Sequence, residues 1–316
     1  MPLKIKPYLN GLLCVLESAT CTALSRVVKG ISHDRLSRIL KDRKLEWQIL
    51  LSALVSRITG KLQDGYLVVD DTVIDKSFAK AIEHISWIFS SKENRVVLGL
   101  NLVVIAWSNG TTTIPLGVKL WKKEGGKSKY DLALELLSYA KYVLKIKPKC
   151  VIFDSWYASE KILSALTQWK WTFFCQLKKN RKLNGAQLRR FRSHPYWMAR
   201  GVLSGGIEVL VVRHGKKYFA TNELTLTKKE ILARYKTRWV IETMFRFLHD
   251  QLGLEQCQMI SLQAQTAHIH LCMMALILVE KKKETTLATG YEILRQCRFY
   301  PETAEALLSM LSFASA

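Results

Sequence analysis

Two short apolar runs in this chain end on acids: YLVVDDT at residues 66–72 and CVIFDS at residues 150–155. A run of aliphatic and β-branched residues bounded by polar ones reads as a strand buried on both faces. Such strands lie inside a sheet covered by helices, and ligand sites form outside their carboxyl ends. Asp70, Asp71 and Asp154 fall side by side if the two strands are neighbours. A third acid, Glu242, lies in YKTRWVIETMFRFLH. There Tyr235, Arg238, Glu242 and His249 stand at i, i+3, i+7 and i+14, which is one face of a continuous helix. Two carboxylates at strand ends and one on a helix are an arrangement able to hold two hard divalent cations.

Taken singly, each acid has an ordinary reading. An aspartate after a strand caps a turn or a helix, and Tyr, Arg and Glu on a helix make an intrahelical ion pair with an aromatic neighbour. Joint occurrence shifts the balance towards a site. The charge of the chain then narrows the partner. Its 316 residues carry 48 Lys and Arg against 26 Asp and Glu, a net charge of +22. This excess runs along the whole chain, which disfavours a lipid-binding basic tail and fits a surface that tracks the phosphates of a nucleic acid.

Other classes are excluded by absent patterns. The seven cysteines form no CxxC pair and no zinc spacing, so no disulfide framework or zinc site is expected and the compartment reads as reducing. The N-terminal MPLKIKPYLNGLLCVLE lacks the apolar run and cleavage site of a signal peptide. The longest apolar run, Leu271 to Val279, falls short of the ~20 residues that cross a bilayer and reads as a buried helix. A cytoplasmic protein without a membrane partner is expected.

Five segments follow from the periodicities. Residues 1–62 read as helices; Gly30 breaks one, Ser32 caps the next, and Arg35, Arg38 and Lys41 lie on its polar positions. That pairing is consistent with a DNA-binding helix-turn-helix or with any helical hairpin. Residues 63–178 alternate strands and helices, with a hairpin at Ser108-Asn109-Gly110. Residues 179–224 read as a β-rich basic insertion. At its start and within it, Lys178, Lys179, Arg181, Lys182, Arg189, Arg190 and Arg192 suit a DNA channel or a solvated loop equally. Residues 225–285 hold a long helix, capped through TKKE from Thr227 and running beyond Glu242, and the helix after it. Residues 286–316 read as C-terminal helices. The fold class is α/β: a mixed sheet flanked by helices.

These motifs, in this order, resemble the DDE transposases of bacterial insertion sequences, in the subgroup marked by a Y-x2-R-x3-E-x6-K signature. Tyr235, Arg238 and Glu242 match its first positions, and His249 stands where the family has lysine. VVDDT resembles the first-acid motif and picks Asp70, with Thr72 as marker and Asp71 as fallback; VIFDSWY resembles the second and picks Asp154. The resemblance implies a ribonuclease H-like core and catalytic, metal-holding roles for Asp70, Asp154 and Glu242. It implies two Mg2+ or Mn2+ ions about 4 Å apart, and phosphate contacts from Tyr235, Arg238 and His249. Histidine is not the fixed cation that lysine is, and Arg246, one turn earlier, is the substitute. The implied activity is cleavage of double-stranded DNA at transposon ends and strand transfer into target DNA, by a homodimer on DNA. The alternatives are a catalytically impaired, transposon-derived DNA-binding protein and another ribonuclease H-like nuclease. Trp239 reads as core rather than a DNA stack, and Tyr218 and Phe219 as strand packing rather than a pocket for a flipped base.

Overall fold

In the computed structural model, which describes residues 3–59, 62–79, 81–90, 92–124, 126–191 and 195–311, the N-terminal segment is helical throughout. It comprises α1 (Lys6–Cys14), α2 (Cys21–Val27), α3 (His33–Leu40) and α4 (Trp47–Thr59). Thr20 and Ser32 cap α2 and α3, each side chain accepting from the backbone N–H three residues on. Those donors have no partner inside the helix, which is why hydroxyl residues start both. Gly30 turns the chain between them at φ +74°, a conformation that costs glycine little. Leu36, Ile39 and Leu40 face the core, and Arg35, Arg38 and Lys41 face solvent.

The sheet begins with β1 (Tyr66–Asp75), β2 (Ser86–Ser90), β3 (Arg95–Ser108) and β4 (Thr113–Trp121). β3 is long enough to pair with β1 along one side and with β2 and then β4 along the other. Asn109 closes the β3–β4 hairpin, its Oδ1 accepting from the amides of Thr111 and Thr112 at 3.0 and 2.8 Å. Gly65 lies under the Trp107 ring, where an added Cβ would come within 2.2 Å, so a bare backbone is required at the entry to β1. β2 is an edge strand with Trp87 and Phe89 turned outward, and its short outward-facing run carried no strand signal in the sequence.

α5 (Lys129–Tyr142) opens with a reciprocal capping box between Ser128 and Asp131. It returns the chain so that β5 (Val151–Phe153) pairs parallel with β1, and α6 (Glu160–Gln168) then leads to β6 (Phe173–Leu177), parallel to β5. The strands of the insertion are β7 (Lys182–Leu183), β8 (Ala186–Gln187), β9 (Met198–Leu203), β10 (Ile207–His214) and β11 (Lys217–Thr221). They do not stand apart from the core. β11 pairs antiparallel with β6, so a single 11-stranded mixed sheet runs β2-β3-β1-β5-β6-β11-β10-β9-β7-β8, with β4 on β3. Pairing satisfies the edge of β6, which would otherwise present unpaired backbone groups.

The C-terminal part holds α7 (Lys228–Lys236), α8 (Trp239–Asp250), α9 (Leu262–Thr285), α10 (Gly290–Phe299) and α11 (Pro301–Ser309). The capping box expected from TKKE is present, between Thr227 and Glu230. The single long helix expected beyond it is not: the chain tightens between α7 and α8. Backbone bonds there span three residues, Thr237 to Arg234, Arg238 to Tyr235 and Ile241 to Arg238, at 3.2, 3.0 and 3.1 Å. Thr237 Oγ1 also donates to the Arg234 carbonyl at 2.7 Å, a local bond that competes with regular helix. α9 has the length and hydropathy to cross a membrane, but it is the central core helix, buried from Ala264 to Glu280 along most of its surface. It packs against α1, α4, α10 and β4.

Candidate active site

The parallel pairing of β1 and β5 sets Val69 opposite Phe153, so Asp70, still paired with Val104 inside β1, lies level with Asp154, the first residue past β5. Side chains alternate along a strand, and Asp70 and Asp71 therefore take opposite faces. On one face Asp71 accepts from Tyr157 Oη at 2.8 Å, Asn101 Nδ2 at 2.9 Å and Lys129 Nζ at 2.7 Å. Its charge is matched and its oxygens are occupied. On the other face Asp70 meets the Arg238 guanidinium, and one of its oxygens accepts from the Asp71 amide at 2.9 Å. Asp154 Oδ1 accepts from the amides of Trp156 and Tyr157 at 2.8 and 3.3 Å, an Asx-type turn that fixes its orientation.

Burial pushes the Asp70 carboxyl up to about 7, with Arg238 opposing the shift and Asp154 and Asp71 adding to it. Asp154 is also held above the usual carboxylate range, chiefly by burial, against the pull of its two amide bonds. Carboxylates that are costly to ionise side by side are what a cation at this edge would relieve. α8 supplies the third acid. Arg238, at its start, bonds Asp70 with one guanidinium nitrogen and Glu242, one turn on, with the other. Burial works against the Arg238 charge, but Asp70, Tyr235 and Glu242 outweigh it and raise its pKa.

The structure brings Asp70, Asp154, Arg238 and Glu242 together. Tyr235 joins them from the last turn of α7, packed on Phe219 at 4.7 Å between centroids and half-buried, its hydroxyl pKa raised by burial. His249 departs from the phosphate-facing role expected of it. It is buried, its Nε2 shares a hydrogen bond with Thr72 Oγ1 at 2.9 Å, and its Nδ1 lies 2.5 Å from Glu255 Oε1. The packing of α8 on β1 buries this end of the stripe beside Thr72. Arg246 is exposed.

Among the described residues, no group of three acidic, histidine or cysteine side chains closes on a point that could take a metal ion. Arg238 stands between Asp70 and Glu242 as a tethered cation. The donors still fit in kind: carboxylate oxygens from Asp70 and Asp154, half-buried and level with each other, and from Glu242 on α8. That set suits a hard divalent cation.

Residues 61–278 match the family described as transposase DDE domain, which is most of the chain. The chain belongs to the DDE transposase family. Members of that family generally use divalent metal ions, in keeping with the oxygen-donor set above. The structure of this transposase is similar to that of piggyBac transposase in a synaptic complex with hairpin DNA. The TM-score is 0.57 at 12% identity, over 99% of this chain and 73% of that one, a likeness of fold. No curated protein matches the transposase.

Other expected positions resolve individually in the transposase. Tyr218 and Phe219 are buried on β11, as strand packing requires, and Trp239 is 56% exposed rather than core. Lys178, Lys179, Lys182, Arg189 and Arg190 are exposed, while Arg181 donates to the Ala158 carbonyl and ties the insertion to the loop after β5. Arg192 lies outside the described residues. Sequence reasoning missed Asn101, Lys129 and Tyr157, the partners of Asp71. A lone Asn inside the apolar GLNLVV and the Tyr of DSWY were signals for two of them; Lys129 had none.

Proposed function

We propose that this transposase cuts double-stranded DNA at the ends of its own mobile element and joins the freed 3′-hydroxyl to target DNA. Asp70, Asp154 and Glu242 would hold the divalent cations, Mg2+ or Mn2+. The observation that carries the reading is the level placement of Asp70 and Asp154 on adjacent parallel strands, with Glu242 tied to Asp70 through Arg238. The cations, when bound, supply Lewis acidity at the attacking and leaving oxygens of the phosphodiester.

The chain's own residues bind and orient. Asp70 must shed the proton that burial favours before it serves as a ligand. Arg238 has two sets of partners in this scheme. Its guanidinium bridges Asp70 and Glu242 in the metal-free protein, and it offers a bidentate fork to a DNA phosphate once those acids are otherwise compensated. Tyr235 adds a hydroxyl to the same phosphate and Arg246 extends the cationic surface. His249 acts by position: through Thr72 and Glu255 it holds α8 against the strand that carries Asp70.

A net charge of +22 supports DNA as the partner. Two ends must be brought together for transposition, so the working form is proposed as a homodimer on DNA. The fold neighbour, a transposase in a synaptic complex with hairpin DNA, supports that reading. The test is incubation with linear DNA carrying the element's terminal inverted repeats and Mg2+ or Mn2+, with Asp70→Asn, Asp154→Asn and Glu242→Gln as controls. End cleavage and strand transfer by the unmodified protein alone are expected. Binding without cleavage would show an impaired DNA-binding protein, and cleavage indifferent to the repeats another ribonuclease H-like nuclease.

A further inference from the structure

The C-terminal ends of α5 and α6 bring three aromatic rings around one ammonium. Tyr142 is the last residue of α5, Trp169 follows the last residue of α6, and Trp171 stands two residues before β6. Lys141 Nζ lies 5.5 Å from the Tyr142 centroid, 5.6 Å from that of Trp169 and 5.5 Å from that of Trp171. Trp169 meets Tyr142 at 5.9 Å and Trp171 at 5.4 Å, each pair edge to face, so the rings wall a hollow rather than stack. The turn after α6 allows this. Lys170 takes φ +58° and the Trp171 amide donates back to the Leu166 carbonyl at 2.9 Å, so residues 169 and 171 both reach Lys141. Trp171 is 8% exposed and floors the hollow, whereas Tyr142 is 61% exposed and forms its outer wall.

A hollow of this kind holds a cation by the negative faces of its rings. Among the described residues Lys141 makes no ion pair, so the rings are its partners. The fit is loose for a bare ammonium. Elsewhere in the protein Lys178 and Lys228 close to 4.5 and 4.7 Å on the rings of Trp156 and Tyr196, and Lys141 stands further off on three sides at once. A methyl carbon about 1.5 Å out from the nitrogen would fill that gap, meeting each ring at roughly 4 Å, a van der Waals distance. Lys141 reaches the hollow on its own flexible stem and can leave it without a change of fold. The acids are remote: β5 and β6 run parallel, Asp154 follows the end of β5 and Trp171 precedes the start of β6, so acids and rings lie at opposite edges.

We propose that Tyr142, Trp169 and Trp171 form a binding site for a methylated ammonium group on an alkyl chain, a guest that displaces the Lys141 ammonium from between the rings. The site is independent of the DNA reading of the acids.

The test titrates the full chain by calorimetry with choline, with its uncharged isostere in which carbon replaces the nitrogen, with a peptide carrying trimethyl-lysine and with the same peptide carrying plain lysine. Choline should bind about tenfold or more tightly than the uncharged isostere, the worth of a charge against desolvated rings. Trp169→Ala should weaken choline by about the same factor. Trp169→Phe should restore most of that loss with an unchanged melting temperature, which separates the ring from the fold. Lys141→Ala empties the hollow and should tighten choline binding several-fold, because no internal cation has to leave. A lysine that only braces the two helices would instead lower the melting temperature on removal, with no choline bound before or after. A trimethyl-lysine peptide that outbinds choline and its plain twin names a protein segment as the source of the group, and choline outbinding the peptide names a free small molecule; either supports the site. Equal affinity for the uncharged isostere, no effect of Trp169→Ala, or no binding of choline and of trimethyl-lysine even to Lys141→Ala would overturn it.

Discussion

Asp70 and Asp71 are neighbours in the chain, and the strand sends them to opposite surroundings. Asp71 receives three donors, from Tyr157, Asn101 and Lys129, and its role is complete within the fold. Asp70 faces α8, carries a pKa raised to about 7 by burial, and is compensated by an arginine that it shares with Glu242. The sequence pair DD thus splits into one acid that holds the sheet to α5 and one that waits for a cation. A carboxylate saturated by protein donors is a poor ligand; one buried beside another carboxylate gains most from a metal.

The sharpest way to break this contrast is in cleavage. Asp70→Asn, Asp154→Asn or Glu242→Gln should each slow cutting of end DNA by about a thousandfold or more, several kcal/mol of barrier. Asp71→Asn should stay within about tenfold of the unmodified rate. Stability should invert the order. Asp71→Ala strands Lys129 and Tyr157 without their acceptor and should cost ~1–3 kcal/mol in denaturant unfolding. Asp70→Asn should leave the metal-free protein at least as stable at pH 8, since a raised carboxyl pKa means that folding disfavours its charge.

The pH profile carries the same sign. With a folded pKa of about 7 against the ordinary value for an unfolded aspartate, near 4, Asp70 binds more proton folded than unfolded between those limits. Its contribution to stability is full below about pH 4 and is lost as pH rises towards 7. In the absence of metal, Asp70→Asn should flatten that fall and Asp71→Asn should leave it in place. The smallest effect belongs to the helix that faces Asp70. His249→Ala should cost about 1 kcal/mol through the lost Thr72 and Glu255 contacts. His249→Lys, whose ammonium can still meet Glu255, should cut end DNA within a few-fold of the unmodified protein at pH 8. A collapse there would assign the imidazole a direct part in cleavage.

Much of this arrangement was legible in the chain. Apolar runs ending on acids gave the buried first half of β1 and all of β5, because burial on both faces leaves a simple one-dimensional signature, but β1 runs on past its acids to Asp75. The capping box at Thr227 was local and equally readable. What failed was tertiary. A spacing of i, i+3, i+7 and i+14 predicts a shared face of a helix but not what covers each end of that face. His249 looked like a phosphate ligand until α8 packed on β1 and buried it. The insertion was set off by its basic, glycine-punctuated composition from residue 179, and the hydrogen bonding between β11 and β6 that joins it to the sheet is invisible to composition. Trp239 and Trp156 could not be sorted as core or surface from type alone.

The division between the two aspartates is tested most directly by Mn2+ binding to the DNA-free protein, followed as the metal-induced rise in melting temperature at pH 8. Asp71→Asn should keep the Mn2+-dependent rise shown by the unmodified protein, while Asp70→Asn and Glu242→Gln should lose most of it. A rise that survives Asp70→Asn but disappears with Asp71→Asn would contradict the account and move the cation site to the other face of the strand.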